Sequence, residues 1–166
     1  MSNTLTTIPG LEAGTWAIDP AHSEISFTVR HLMSKVRGVF RDFEGTAVVA
    51  DDALASTASA TIQLASVDTG TKQRDDHLRS SDFFNVDTQP VMTFVSTELR
   101  PVDDGRFVLA GDLTVNGITR SFELALEVLG VAVNGYGQTI AGFEATGRST
   151  ARTSASTSTC RWTAVG

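Results

Sequence analysis

The stretch Ser23-Glu24-Ile25-Ser26-Phe27-Thr28-Val29-Arg30-His31 alternates apolar and polar side chains. Successive side chains of a β-strand point to opposite faces of the sheet, so this pattern predicts a strand with one apolar face and one polar face. The same period of two returns at residues 107–113 and 121–128. Helical periodicity is scarce elsewhere, and the chain therefore belongs to the all-β class.

Turn signals divide these runs into short strands. Asn116-Gly117 between two apolar runs predicts a hairpin, because a type I′ turn needs positive φ at both central residues. Further strands are predicted around residues 16–18, 58–64 and 92–96. About seven or eight strands joined by short turns favour an antiparallel sandwich or an up-and-down barrel.

Phe40 and Phe43 stand three residues apart, which breaks strict alternation. A β-bulge at Arg41 and Asp42 would bring both rings to one side of the sheet. Alternatively, one ring caps the sheet edge.

One short helix is predicted near 71–79, with Thr71 as its N-cap. It is too short to be stable alone. We expect Leu78, Phe83 and Phe84 to anchor it against the sheet.

Composition and charge exclude several classes of function. The chain has 166 residues, enough for one domain, and a net charge of -6. A negative charge argues against nucleic-acid binding, because phosphate contacts need clustered Lys and Arg. A single cysteine, Cys160, rules out an intramolecular disulfide. The first residues have no signal-peptide pattern and no apolar run could form a transmembrane segment, so we expect a cytoplasmic protein.

The tail from Ser149 onward differs in composition from the rest of the chain. It is rich in Ser and Thr and has no Asp, Glu, Lys, Phe, Ile or Leu. One interpretation is a disordered tail. Another interpretation comes from the genetic code. If the reading frame is shifted, each new codon consists of the third base of one codon and the first two bases of the next. The tail is then compatible with Ile-Asn-Arg-Lys-Asp-Phe-Gly-Ile-Asp-Ile-Asn-Val-Pro-Leu-Asp-Gly-Gly-Gly. We therefore hypothesise a frameshift at about Ser149.

Several motifs, in the same order along the chain, resemble those of the YceI-like family. Members of this family are polyisoprenoid-binding, lipocalin-like β-barrel proteins. The motifs that carry the resemblance are residues 16–31, Gly38-Val39-Phe40-Arg41-Asp42-Phe43-Glu44-Gly45, Asp68-Thr69-Gly70, Arg74-Asp75-Asp76-His77-Leu78, Ser81-Asp82-Phe83-Phe84, Pro90-Val91-Met92-Thr93-Phe94 and residues 111–117. The regrouped tail also looks like the C-terminal motif of that family.

The resemblance implies an extended antiparallel lipocalin-like β-barrel of about eight strands that encloses a long apolar lipid, typically a polyisoprenoid. We expect a flexible N-terminal segment at 1–13, the barrel at 14–147 and a disordered aberrant tail at 148–166. If the frameshift removes the closing strand, the exposed edge invites aggregation or a homodimer.

The barrel interpretation gives the alternating apolar faces a role in ligand binding. The predicted lining residues are Trp16, Ile18, Phe27, Val29, Phe40, Phe43, Ile62, Leu64, Phe83, Phe84, Met92, Phe94, Leu109, Leu113, Phe122 and Leu124. The alternative is that they fill a solid core. Phe83 and Phe84, which follow the helix, are expected to plug one end.

The charged residues from Arg74 to His77 allow three interpretations. They form a structural network that holds the helix, or Arg74 and His77 contact a lipid headgroup. In the third, the chain is a small metal-dependent or hydrolytic enzyme using His22, His31, His77 and Asp75. Their spacings match no familiar metal motif.

We therefore predict no catalysis, no metal and no cofactor. The expected function is binding and sequestration or transport of a long apolar lipid. A barrel that serves as a scaffold without a ligand is the remaining alternative.

Overall fold

The computed structural model describes residues 11–31, 34–81, 85–103, 105–151 and 154–165. Its strands are β1 (Gly14–Ile18), β2 (Glu24–His31), β3 (Ser34–Phe40), β4 (Phe43–Val49), β5 (Thr57–Gln63), β6 (Val67–Asp68), β7 (Val91–Asp103), β8 (Arg106–Val115), β9 (Ile118–Val133), β10 (Thr139–Ala151) and β11 (Ser154–Val165). The helix α1 spans Lys72–Arg79, and 3-10 turns occur at Pro20–His22, Ala53–Ala55 and Leu64–Ser66. The all-β class and the short helix are confirmed. In the described part of the chain, no helix is long and apolar enough to cross a membrane.

The sheet curls until its first strand meets its last. Antiparallel pairing runs through β1, β4, β5, β7, β8, β9, β10 and β11, and β11 pairs again with β1. Strands β2, β3 and β6 extend this wall, because β2 pairs with β11 and β3, and β3 pairs with β6. Each of the pairs β1/β2, β3/β4 and β5/β6 therefore occupies a single strand position in the wall, as one long strand with an interruption. The wall thus has the eight strand positions that the sequence predicts.

The C-terminal segment differs from our expectation of a disordered tail and a missing closing strand. Strand β11 pairs with β10 from Val165 to Ser154, and with β2 from Ser156 to Arg161. Composition describes side chains, whereas a ladder is made by backbone N–H and C=O groups, which Ser and Thr supply as well as Ile does. Because β11 fills the gap, the edge that would have favoured a homodimer is absent from the described ring.

Two local predictions concern the ends of strands, and the first of them is confirmed. Asn116 and Gly117 have φ of 53° and 74° and join β8 to β9, as a type I′ turn requires. The β-bulge expected at Arg41 and Asp42 is instead a break between strands, because these two residues separate β3 from β4. As a result Phe40 and Phe43 are both buried.

The apolar core is divided into two clusters. Trp16, Phe107, Leu126 and Phe143 belong to the first, at one end of the barrel, with Leu11 packed against them. Residues 11–13 are thus held to the barrel in part, since Glu12 O also accepts a hydrogen bond from Trp16 Nε1. The second cluster contains Ile25, Phe27, Phe40, Phe43, Ile62, Leu64 and Val67.

Helix α1 lies beside the second cluster, where β6 ends. Leu78 packs against this cluster, as predicted. Arg79 donates hydrogen bonds from Nε to Ala65 O at 2.9 Å and from Nη2 to Val67 O at 3.1 Å. The helix is therefore fixed to the wall by both apolar and polar contacts. The other predicted anchors, Phe83 and Phe84, lie outside the described residues.

Candidate functional site

A cavity of about 120 Å³ lies between the two core clusters. Members of both clusters line it, so the barrel core is hollow at its centre. Its lining consists of Ile18, Ile25, Ser26, Phe27, Phe40, Phe43, Thr46, Ala47, Ala58, Ser59, Ala60, Ile62, Met92, Phe94, Leu109, Leu113, Phe122, Leu124 and Ala145. None of these side chains is charged. We call this cavity the lumen.

Glycines in the wall leave room for aromatic rings beside the lumen. A Cβ atom on Gly38 would lie 2.4 Å from the ring of Phe27, and one on Gly111 would lie 2.5 Å from the ring of Phe94. These distances are far below van der Waals contact, so only glycine lets the rings rest on the strand backbone. Space at the centre of the barrel is kept open as a result.

The structure places the predicted lining residues in three groups. Eleven reach the lumen: Ile18, Phe27, Phe40, Phe43, Ile62, Met92, Phe94, Leu109, Leu113, Phe122 and Leu124. Trp16 and Leu64 are buried in the two core clusters instead and are not part of the lumen lining. Phe83, Phe84 and the side chain of Val29 lie outside what the structure describes.

Sequence reasoning missed the small residues of the lumen. Ala47, Ala58, Ala60 and Ala145 line it together with Ile25 and the hydroxyl residues Ser26, Thr46 and Ser59. Ile25 shares the apolar face of Phe27, which was a usable signal. The alanines are harder to recognise in the sequence. A small side chain contributes to a cavity by the volume that it leaves empty and not by an apolar pattern.

The charged segment of α1 forms a structural network. Asp75, which is 7% exposed, accepts hydrogen bonds from Thr69 N at 2.9 Å and Thr69 Oγ1 at 2.5 Å. Arg74 donates from Nε to Thr69 Oγ1 and from Nη2 to Thr69 O, both at 2.8 Å. Thr69 therefore joins β6 to the helix. Neither Arg74 nor His77 lines the lumen.

The residues predicted for the alternative enzymatic site do not come together among the described parts of the chain. His22 Nδ1 lies 2.7 Å from Asp19 Oδ2 on the first 3-10 turn, whereas Asp75 binds Thr69. His77 is exposed on α1, and the side chain of His31 lies outside the description. Among the described residues, no three His, Cys, Asp or Glu side chains are grouped as metal ligands would be.

Ion pairs near the surface account for the clear carboxyl pKa shifts. The hydrogen bond from His22 lowers the pKa of Asp19, that from Arg41 lowers the pKa of Asp68, and that from Lys72 lowers the pKa of Asp76. These partners stabilise turns and the helix, so the shifts point to structure more than to acid–base chemistry.

Comparisons with known proteins agree with this architecture. The family model described as a YceI-like domain matches residues 16–156. The UPF0312 protein plu2095 of Photorhabdus laumondii is 39% identical over 129 residues, which are 76% of this chain and 67% of that protein. The Campylobacter jejuni YCEI crystal structure has a TM-score of 0.70 and 29% identity, covering 82% of this chain and 89% of the other. A polyisoprenoid binding domain from Saccharophagus degradans has a TM-score of 0.65 and 14% identity, covering 93% and 99%.

Proposed function

Because the chain belongs to the YceI-like family, we propose that it binds a long apolar lipid such as a polyisoprenoid in the lumen, and sequesters or carries it without catalysis. One observation carries this proposal: the core is hollow, and its lining is apolar apart from three hydroxyl side chains. Such a lining favours hydrocarbon over any charged substrate. The polyisoprenoid binding domain of Saccharophagus degradans has the same fold, which supports the same class of ligand.

The physical basis of affinity would be chain length. Burial of hydrocarbon contributes about 0.8 kcal/mol per CH₂ group, so several isoprene units supply affinity without specific polar contacts. A void of about 120 Å³ is smaller than the roughly 300–1,000 Å³ of ordinary ligand pockets. Ligand entry must therefore widen the lumen. Met92, which lines it, is suited to this because its unbranched side chain adopts many shapes.

Extraction of the purified protein, followed by mass spectrometry, tests the ligand class. We expect a prenyl lipid in the extract, and saturable binding of the neutral apolar dye N-phenyl-1-naphthylamine that geranylgeraniol reverses. Stoichiometric metal with neither lipid nor dye binding would favour the enzymatic alternative. A protein free of lipid, metal and dye binding would favour a scaffold.

We also propose that the segment from about Ser149 arose by a frameshift. In the regrouped reading, alternate positions become apolar: Ser154, Ser156, Ser158, Cys160 and Trp162 are replaced by Phe, Ile, Ile, Val and Leu. The backbone register pairs positions 156, 158 and 160 with Val29, Phe27 and Ile25. These three residues are the apolar members of the alternating sequence at 24–31. The regrouped residues thus supply the period that a half-buried strand needs.

Restoring the shifted frame is expected to raise the melting temperature by at least about 10 °C, because each added buried apolar side chain contributes roughly 1.5–3 kcal/mol. Differential scanning calorimetry of the two chains measures this difference. The coding DNA provides an independent check, since its codons must spell the regrouped sequence in the shifted frame. Equal melting temperatures would refute the stability argument.

A further inference from the structure

The barrel wall is interrupted on both sides of the first 3-10 turn. Pairing between β1 and β4 stops at Ala17 and Thr46, and pairing between β2 and β3 resumes only at Ile25 and Phe40. On the side that faces β11, residues 19–23 are not paired with that strand. Only two residues of β11 lie between its pair with Ile18 and its pair with Glu24. The chain therefore bulges out of the wall at 19–23.

A second interruption of the wall, near Arg41, is closed by backbone hydrogen bonds. Gln63 N donates to Asp42 O at 2.9 Å, and Arg41 N donates to Ser66 O at 3.3 Å. At the first interruption, a side chain lies across the gap instead. A Cβ atom built on Gly45 would be 2.3 Å from Ile18 Cδ1, so Ile18 occupies the space that glycine leaves free.

An outer depression lies over this point and shares part of its wall with the lumen. It is lined by Ala17, Ile18, Glu44, Gly45, Thr46, Ser59, Ala60 and Thr61. Four of these residues also line the lumen: Ile18, Thr46, Ser59 and Ala60. Gly45 and Ala60 themselves carry nothing larger than a methyl group, and the other shared residues are Thr46 and Ser59, so Ile18 is the largest side chain shared by the two spaces.

We propose that the gap between Ile18 and Gly45 is a lateral port through which the apolar chain passes into the lumen, while a hydroxyl-bearing head remains in the outer depression. This proposal rests on the proposed function. The port opens when Ile18 rotates and β1 and β4 move apart beyond Ala17 and Thr46, where no strand pair has to break. Ile18 therefore acts as a gate.

The chemistry of the depression selects the head of the lipid. Thr46, Ser59 and Thr61 offer hydroxyl groups, and the Glu44 carboxylate accepts hydrogen bonds. A carboxylate repels a phosphate or diphosphate and binds an alcohol hydrogen. An uncharged alcohol is thus the favoured head at this site.

The port is tested by closing it with a disulfide. In a Cys160→Ser background, Ile18→Cys together with Gly45→Cys places two thiols at positions that follow directly on the last β1–β4 pair, where neighbouring strands are near enough for a disulfide. Stopped-flow exchange of N-phenyl-1-naphthylamine should be at least about tenfold slower in the oxidised protein than after reduction. Equal rates would overturn the port. Absence of dye binding in the unmodified protein would instead overturn the proposed function, and the port with it.

A simpler pair of variants covers the case in which the double cysteine protein does not fold. Ile18→Ala should speed both loading and release of the dye severalfold and change its affinity less. Leu113→Ala removes a side chain on β8 that lines the lumen and lies away from the port. This variant should change the affinity for the dye without raising the rates of both loading and release. Identical kinetics in the two variants would overturn the gate.

The head preference is tested by displacing the dye with geranylgeraniol and with geranylgeranyl phosphate. We expect the alcohol to act at about tenfold lower concentration, and Glu44→Gln to reduce that ratio. Equal potency of the two lipids, with no change in Glu44→Gln, would overturn the alcohol assignment.

Discussion

Replacement of Ala58 by phenylalanine is expected to weaken binding of an apolar ligand by at least about a hundredfold. Ala58 lines the lumen and pairs across the strands with Ala47, so the added ring enters space that these two alanines leave empty. Each excluded CH₂ group removes about 0.8 kcal/mol of binding free energy, and four or more give this factor. Titration with N-phenyl-1-naphthylamine measures the change.

The matched control for this substitution is Ala125→Phe. Ala125 is exposed on β9, so the same ring is added outside the barrel. We expect unchanged dye affinity in the control and an unaltered or higher melting temperature in Ala58→Phe, because the ring fills an empty space. Normal affinity in a folded Ala58→Phe protein would mean that the ligand binds elsewhere.

Replacement of Asp75 by alanine is expected to lower the free energy of unfolding by at least about 3 kcal/mol. The buried carboxylate accepts both hydrogen bonds from Thr69, and its loss leaves the Thr69 N–H without that acceptor. Hydrogen bonds to a charged group contribute about 1.5–3 kcal/mol each, and an unsatisfied buried donor adds a cost. Urea denaturation followed by tryptophan fluorescence measures the loss.

The neighbouring residue provides the control. Asp76→Ala removes exposed ion pairs with Lys72 and Arg79, which contribute little to stability because water screens them. If the network around Thr69 is structural, the two variants should differ by at least about 1 kcal/mol, and the folded fraction of each should bind the dye normally. Similar losses in the two variants would contradict the structural role of Asp75.

Alternation along the strands predicted much of the lumen, because a period of two decides which face a side chain occupies. It could not say how far along the barrel each side chain lies. It therefore predicts Trp16 and Leu64 in the lumen, whereas they belong to the two core clusters and do not line it. The gate at Ile18 was equally hidden, since it depends on an interruption of pairing between β1 and β4.

The C-terminal strand illustrates a different limit. A segment rich in Ser and Thr looks disordered by composition, yet Ser154–Val165 lies between β10 and β2. Its neighbours offer unpaired backbone groups on both sides, and satisfying them stabilises a strand whatever its side chains are. Only the order of strands around the ring reveals this position.

The hollow core has a consequence for the response of the protein to hydrostatic pressure. An apolar void of about 120 Å³ corresponds to roughly 70 mL/mol, and unfolding under pressure is driven by the elimination of such volume. The empty protein should thus be unusually easy to unfold by compression, whereas a lipid that fills the void removes this weakness. Resistance to pressure therefore becomes a measure of occupancy that needs no label on the ligand.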